Sequence, residues 1–197
     1  RTICCGRPLL QQGFLKQAKD LRLKNQSMII KSKAKLLVTS CPICYQSFTK
    51  EYNLPIKVMH HTEYIAGLIK SGRLKLRKDD LKVVYHDPCE LGRGCGIYEE
   101  PREVLKSVSN LVKAKDEKEK SLCCGFNLGS TVLTMEQQTK VRDAAVESLM
   151  YKNPDLIATA CPMCKKAFNH ATTLQVKDIA EIVAENIIDN GQLTMNN

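Results

Sequence analysis

Ten cysteines carry most of the reactive chemistry available to this 197-residue chain, and eight of them fall into two recurring arrangements. Cys4-Cys5-Gly6 and Cys123-Cys124-Gly125 are adjacent thiol pairs followed by glycine; Cys41-Pro-Ile-Cys44 and Cys161-Pro-Met-Cys164 are CPxC motifs. Thiolates are soft ligands for zinc and iron–sulfur centres, and nucleophiles where their pKa is lowered. A CxxC that opens a helix turns both sulfurs toward one point, where helix N–H groups and dipole favour the thiolate. Adjacent cysteines normally point apart, so a pair serving together suits an extended object better than one small ion. Gly6 and Gly125 leave the backbone free to turn sharply beside it.

Cys89 lies 33 intervening residues before Cys123, completing a set of five: Cys89, Cys123, Cys124, Cys161 and Cys164. A tetrahedral zinc site needs four donors and leaves one over. An iron–sulfur cluster spreads several irons over a few ångströms and takes thiolates. The spacing favours the cluster. Zinc remains the rival, either as a substitute or as the core of a structural assembly module without redox work. A thiol–disulfide oxidoreductase would have no need of two CxxC motifs, each with its own CC pair. Cys4, Cys5, Cys41 and Cys44 form a second set without the early cysteine, which by the same spacing would lie about 34 residues before Cys4. The chain starts with Arg inside a motif, and we expect it to be part of a longer protein.

The elements that must position these thiols are written twice. From CC to CPxC there are 35 residues in the first copy and 36 in the second, and "KLLVTSCPICYQSF" (35–48) falls on "DLIATACPMCKKAF" (155–168). "KVMHHTEYI" (57–65) then falls on "QVKDIAEIV" (175–183). A repeat this long points to two homologous halves about a pseudo-two-fold axis, 1–78 and 79–197. Each half opens with an amphipathic helix: Phe14, Ala18, Leu21 and Met28–Ile30 inward in one, Met135, Val141, Ala144, Ala145 and Leu149 in the other. A short apolar strand then runs into a helix headed by Pro42 or Pro162, with Phe48 and Phe168 inward. A second strand (57–59; 174–176) and a closing helix (about 62–71; about 178–190) complete each unit. Between them, Leu81–Tyr85 is a strand, followed by a glycine-rich loop and a helix at about 101–108. Strands alternating with helices predict α/β halves, each a small, mainly parallel sheet flanked by helices, with thiols at strand C-terminal ends.

Composition narrows the class. The chain is 43% hydrophobic and 26% charged, and no apolar run approaches the ~20 residues of a membrane span. No signal-peptide pattern opens it. Clustered cysteines and long helical patterns argue against a secreted disulfide scaffold. The net charge of +9 raises nucleic acid as a partner, but four Phe, six Tyr and no Trp supply no stacking surface, so none is expected. "KAKDEKEK" alternates in sign as a solvated face does. His86 is either a ligand beside Cys89 or, more ordinarily, a residue closing a strand end. Arg93 and Arg102 fit paired or solvated roles better than anion binding. Cys95 matches no motif and reads as a bystander. His60 and His61 align with Asp178 and Ile179, which argues against metal chemistry shared by both copies. "GRGCG" lacks the order of a nucleotide-binding loop.

"CCGRP", "CPIC", "HDPCELGRGCGIYEEPREVL", "CCG" and "CPMC" together resemble the twofold CCG cysteine-rich domain, across essentially the whole chain. That family includes heterodisulfide reductase subunits B and D and the iron–sulfur subunits of glycolate, lactate and anaerobic glycerol-3-phosphate dehydrogenases. The resemblance implies an electron-handling oxidoreductase module with clusters of 4Fe-4S type. Cys89, Cys123, Cys124, Cys161 and Cys164 would hold one, and Cys4, Cys5, Cys41 and Cys44 part of another. It also implies a flavoprotein or other redox subunit as donor and a disulfide or quinone-linked acceptor. The setting would be cytoplasmic, with the full complex at the inner face of the cell membrane where the acceptor requires it. "CCGFNLGS" departs from the family in lacking a run of glycines, and the upstream ferredoxin-like CxxCxxCxxxCP motif is not in this chain. No residue resembles a flavin or hydride site, so dehydrogenation belongs to another subunit or domain.

Overall fold

A computed structural model describes residues 4–126 and 132–188. The first half runs Arg7–Gln11 (α1), Leu15–Lys31 (α2), Leu36–Thr39 (β1), Pro42–Lys50 (α3), Lys57–His60 (β2) and His61–Lys70 (α4). The second runs Lys82–His86 (β3), Gly92–Cys95 (α5), Glu99–Val108 (α6), Asn110–Val112 (β4) and Met135–Leu149 (α7). It closes with Leu156–Thr159 (β5), Pro162–Asn169 (α8), Gln175–Asp178 (β6) and Ile179–Glu185 (α9). The repeat survives element for element: α2 with α7, β1 with β5, α3 with α8, β2 with β6, α4 with α9.

Local chemistry explains the junctions. Pro42 and Pro162 head their helices, where a missing N–H is no loss. β2 and β6 pass straight into helices through capping boxes, His60 with Glu63 and Asp178 with Glu181.

Among the described residues, every pair of these strands is parallel. β1 pairs with β2, Leu36 opposite Lys57 through Thr39 opposite His60. The second sheet has the order β4-β3-β5-β6, with Val83 opposite Leu156 and Leu156 opposite Gln175. Its side chains alternate between two cores, as the period of a strand requires. Val83, Tyr85, Leu156 and Ala158 meet α6 and α9 on one face. Val84, Ile157 and Val176 meet Ala145, Leu149 and Phe168 on the other.

Two features break the symmetry. β5 has a neighbour on each side and is buried throughout, whereas β1 pairs only with β2 among the described residues and leaves Val38 38% exposed. α4 belongs to the first repeat in sequence, yet Ala66, with Ile65 and Ile69, packs into the core beneath the second sheet. The chain joins the halves again where Leu76 bridges Ile187 and Arg77 N–H donates to the Asn186 carbonyl.

The structure corrects several expectations. In α2, Ala18 and Ile29 are buried, but Ile30 is 48% exposed, as is Phe14 just before the helix at 51%; the two strands of the first sheet among the described residues do not cover them. In α7 the packing falls on Ala145 and Leu149; Met135 lies exposed at the first turn and Ala144 faces outward. β3 starts at Lys82, leaving Leu81 exposed, and α9 ends at Glu185, where the chain enters the Leu76–Ile187 bridge. β4 was not legible: three residues carry too little pattern. The departure from the family after Gly125 falls mostly on residues 127–131, outside the described residues.

Candidate metal centre

The five cysteines of the second set come together. Their thiols lie near enough to perturb one another's ionisation in an unbroken series, Cys89 to Cys123 to Cys124 to Cys164 to Cys161. Cys89 follows the end of β3, the CC pair lies in the loop before α7, and the CPxC pair straddles the β5–α8 junction. Shared protons divide the group into donors and acceptors. Thiols of Cys124 and Cys89 donate to Cys123 and, with the Gly125 N–H at 3.4 Å, hold it down to about 2. Cys124 is pushed up to about 12, first by its bond to Cys123. Cys89 and Cys164 are also raised, chiefly by donating to their neighbours. Cys161 is lowered, first by Cys164 and then by the Cys164 and Met163 N–H groups that open α8.

The first set gathers in the same way, as Cys4, Cys5, Cys44 and Cys41. Cys44 donates to both Cys5 and Cys41, lowering them to about 6 and about 7 and raising itself. N–H groups of Cys44 and Ile43, at the start of α3, add to the effect on Cys41. Beside this group opens a cavity of about 450 Å³, walled by Cys4, Cys5, Cys44, Leu37, Val38 and Phe48. The two groups are neighbours, close enough that the charge of Cys41 is felt at Cys161.

Both CC turns depend on glycine: Gly6 has φ +88° and Gly125 φ +71°. A Cβ on Gly125 would also stand 2.9 Å from the Gln138 carbonyl of α7. In the first half, Asn25 donates to the Cys4 carbonyl at 2.8 Å and Tyr52 to the Cys5 carbonyl at 2.9 Å. In the second, His86 is kept neutral by burial, its pKa lowered to about 4, and its Nε2 donates to the Leu122 carbonyl at 3.1 Å. The same ring meets Phe168 edge-on at 4.6 Å. Asp87 is held by both Arg102 nitrogens at 2.6 and 2.7 Å and accepts the Lys118 N–H at 2.9 Å. Arg93 donates to the Glu119 and Ser121 carbonyls. The approach to Cys123 is thereby strapped to the end of β3.

His86, Arg93 and Arg102 therefore serve as struts. Cys95 joins neither thiol group; burial raises it beside Gln46, and Lys50 reaches the neighbouring Gly94 carbonyl. Asn25, Tyr52 and Asp87 were not singled out by sequence. Only the Asp of "HDPC" stood close enough to a motif to suggest itself. Among the described residues, no three His, Cys, Asp or Glu side chains converge in the geometry of a single bound ion. The thiols are strung out along a series instead.

A family model for the CCG cysteine-rich domain matches residues 1–49 and 83–169, which enclose the first and the second thiol group respectively. The chain belongs to the CCG cysteine-rich domain family. As a CCG chain it is 30% identical to a component of the dihydromethanophenazine:CoB–CoM heterodisulfide reductase of Methanosarcina barkeri, over 92% of this chain and 49% of that protein. It is 33% identical to the probable iron–sulfur-binding oxidoreductase FadF of Bacillus subtilis, over 86% of this chain and 26% of that protein. The EtfAB:quinone oxidoreductase of Syntrophomonas wolfei is 31% identical over 91% of this chain and 28% of its own length. The CCG chain thus spans about a quarter to a half of these curated relatives. Among its described residues, no helix is long and apolar enough to cross a membrane.

Proposed function

We propose that this CCG domain is the iron–sulfur electron-transfer part of a larger oxidoreductase. Cys89, Cys123, Cys124, Cys161 and Cys164 would hold a cluster of 4Fe-4S type, and Cys4, Cys5, Cys41 and Cys44 part of a second. The unbroken five-thiol series carries this reading. A single zinc takes four donors around one point, whereas a cluster is wide enough to accept sulfurs arriving from three separate loops. Bound there, it would supply one-electron redox chemistry. The chain's own residues set the sulfurs in place. Helix-opening N–H groups stabilise thiolates, His86 and the Asp87–Arg102 pair fix the CC loop, and Phe168 and Leu149 line the buried side.

We take 1–78 and 79–197 as the two repeats, one thiol group each. β5 has β3 beside it, and β3 leads to Cys89. By correspondence, a strand from outside the described residues would lie against β1 and bring the fifth thiol of the first group. The greater length of the relatives supports this. The heterodisulfide reductase and EtfAB:quinone oxidoreductase relatives support a redox subunit, flavoprotein or cluster-bearing, as donor and a disulfide or quinone-linked acceptor. With a quinone-linked acceptor, the complex would work from the cytoplasm at the inner membrane face.

Anaerobic reconstitution of the chain with iron and sulfide, followed by EPR on reduction, tests the proposal. A reducible paramagnetic iron centre is the expected outcome. Stoichiometric zinc with no iron would leave only a metal-stabilised assembly module. Redox activity that survives chelators and disappears on alkylation would instead indicate thiol–disulfide exchange.

A further inference from the structure

Charge divides unevenly between the two repeats. Residues 1–78 carry 16 Lys and Arg against 3 Asp and Glu, whereas residues 79–197 carry 14 against 18. Much of the excess lies on α2, where Lys16, Lys19, Lys24 and Lys31 are exposed and, among the described residues, form no ion pair. Lys33 and Lys35 follow in the turn before β1. The helical period sets apolar side chains among these lysines on the outward side, Leu15 (64% exposed), Leu23 (54%) and Ile30, with Phe14 where the helix begins.

The fold does not require such a face. α7 holds the corresponding place in the second repeat, with Ala145 and Leu149 inward where α2 has Asn25 and Ile29. At the positions of Lys16, Leu23 and Ser27 it carries Glu136, Asp143 and Glu147, all exposed, and Glu136 pairs with Lys140. One helix therefore shows water an acidic, solvated side, and its counterpart shows cations mixed with apolar side chains. A strand added beside β1 would lie under the inward side of α2, as β3 beside β5 lies under α7, and would leave the outward side open.

We propose that the outward face of α2 docks on an anionic phospholipid bilayer, the helix lying along the headgroups. Leu15, Leu23 and Ile30 enter the boundary of the acyl chains, and the lysines, on long flexible stems, stay among the phosphates. Side-chain chemistry selects lipid over an acidic protein. Protein interfaces are depleted in Lys and favour Arg, yet every exposed cation of this face is Lys, and Arg22 is turned to the Glu51 carbonyl. On the inward side of the same helix Asn25 holds the Cys4 carbonyl, so docking sets the first thiol group about one helix thickness, ~10 Å, from the bilayer. The inference rests on the proposed work of the complex at the inner membrane face, and not on its clusters.

The test sediments the full-length protein that contains this domain with vesicles of phosphatidylglycerol and phosphatidylcholine, and with vesicles of phosphatidylcholine alone. Wild type should favour the anionic vesicles by about tenfold or more, and raised salt should remove most of that preference. Lys16→Glu combined with Leu23→Asp, which gives α2 the residues of α7, should abolish it while leaving the circular dichroism spectrum unchanged. If that variant does not fold, Lys19→Glu with Lys31→Glu replaces it. A folded variant that keeps the wild-type preference overturns the assignment of α2, while the complex still works at the membrane through another surface. Equal binding of wild type to both vesicles overturns it likewise. Wild type that binds neither vesicle overturns both the docking face and the inner-face setting. A salt-sensitive complex with an acidic partner subunit, formed in place of vesicle binding and weakened by the same substitutions, would give the face to protein instead.

Discussion

At the scale of single residues, the thiol series separates ligands from bystanders. Cys123→Ala or Cys124→Ala cuts the middle of the series, and iron bound per chain should fall by about the content of one centre. Cys95→Ala should leave it unchanged. Equal losses from all three, measured by metal analysis, would reject the ligand assignment. The Asp87–Arg102 pair has little access to water on either side. Arg102→Met strands the carboxylate, and loss of one partner of a buried pair costs about 3–5 kcal/mol. Denaturant unfolding of Arg102→Met should show a drop of that order, together with poorer iron retention. His60 supplies a pH signature. Burial lowers its pKa from 6.5 to about 3 in the folded state, with His61 adding to the shift and Asp178 opposing it. Between those values the unfolded chain binds a proton that the folded protein refuses, so stability falls as the pH drops. By pH 4.5 that contribution is about 2–3 kcal/mol. It should appear as a difference between wild type and His60→Gln, in which acid loss of metal common to both cancels.

At the scale of elements, the repeated text was most informative where pattern and chemistry agreed. The β-branched runs before CPxC, the Pro-headed helices and the CC-Gly turns all stand where spacing puts them. Gly125 shows how firmly. Alanine there meets both a left-handed φ and the Gln138 carbonyl, so Gly125→Ala should destabilise by about 1–3 kcal/mol and lower metal loading at the second group selectively. Equal loading of both groups in that variant would show that the turn is not what sets the cysteines. Sequence was silent where function passes through single polar contacts. Nothing in a 3.6-residue pattern marks Asn25 as the support of Cys4, or Tyr52 as that of Cys5. The outward faces of Phe14 and Ile30 were misread because periodicity reports an apolar stripe and not whether anything covers it. His60 escaped for another reason: its ring caps α4 and meets Thr62, a local role that shows only once the start of the helix is known.

At the scale of the molecule, the two repeats are not separable parts. Ile65, Ala66 and Ile69 of α4 complete the core under the second sheet. Residues 79–197 produced alone should therefore show weakened near-ultraviolet dichroism and increased dye binding, despite carrying all five thiols of the second group. The first group calls for the reverse experiment. Extending the chain upstream should raise iron at Cys4, Cys5, Cys41 and Cys44 while leaving the second group unaltered. Unchanged occupancy would remove the case for a fifth thiol from that direction.

Among the described residues β1 is paired on one side only, and this has a consequence beyond ligation. Unpaired main-chain groups along a partly apolar strand form a template to which a like strand adheres. A chain in which that side stays open should self-associate as it is concentrated, and turbidity or light scattering should follow. A charged residue in place of Val38, the most outward side chain of that strand, should restore a monomer.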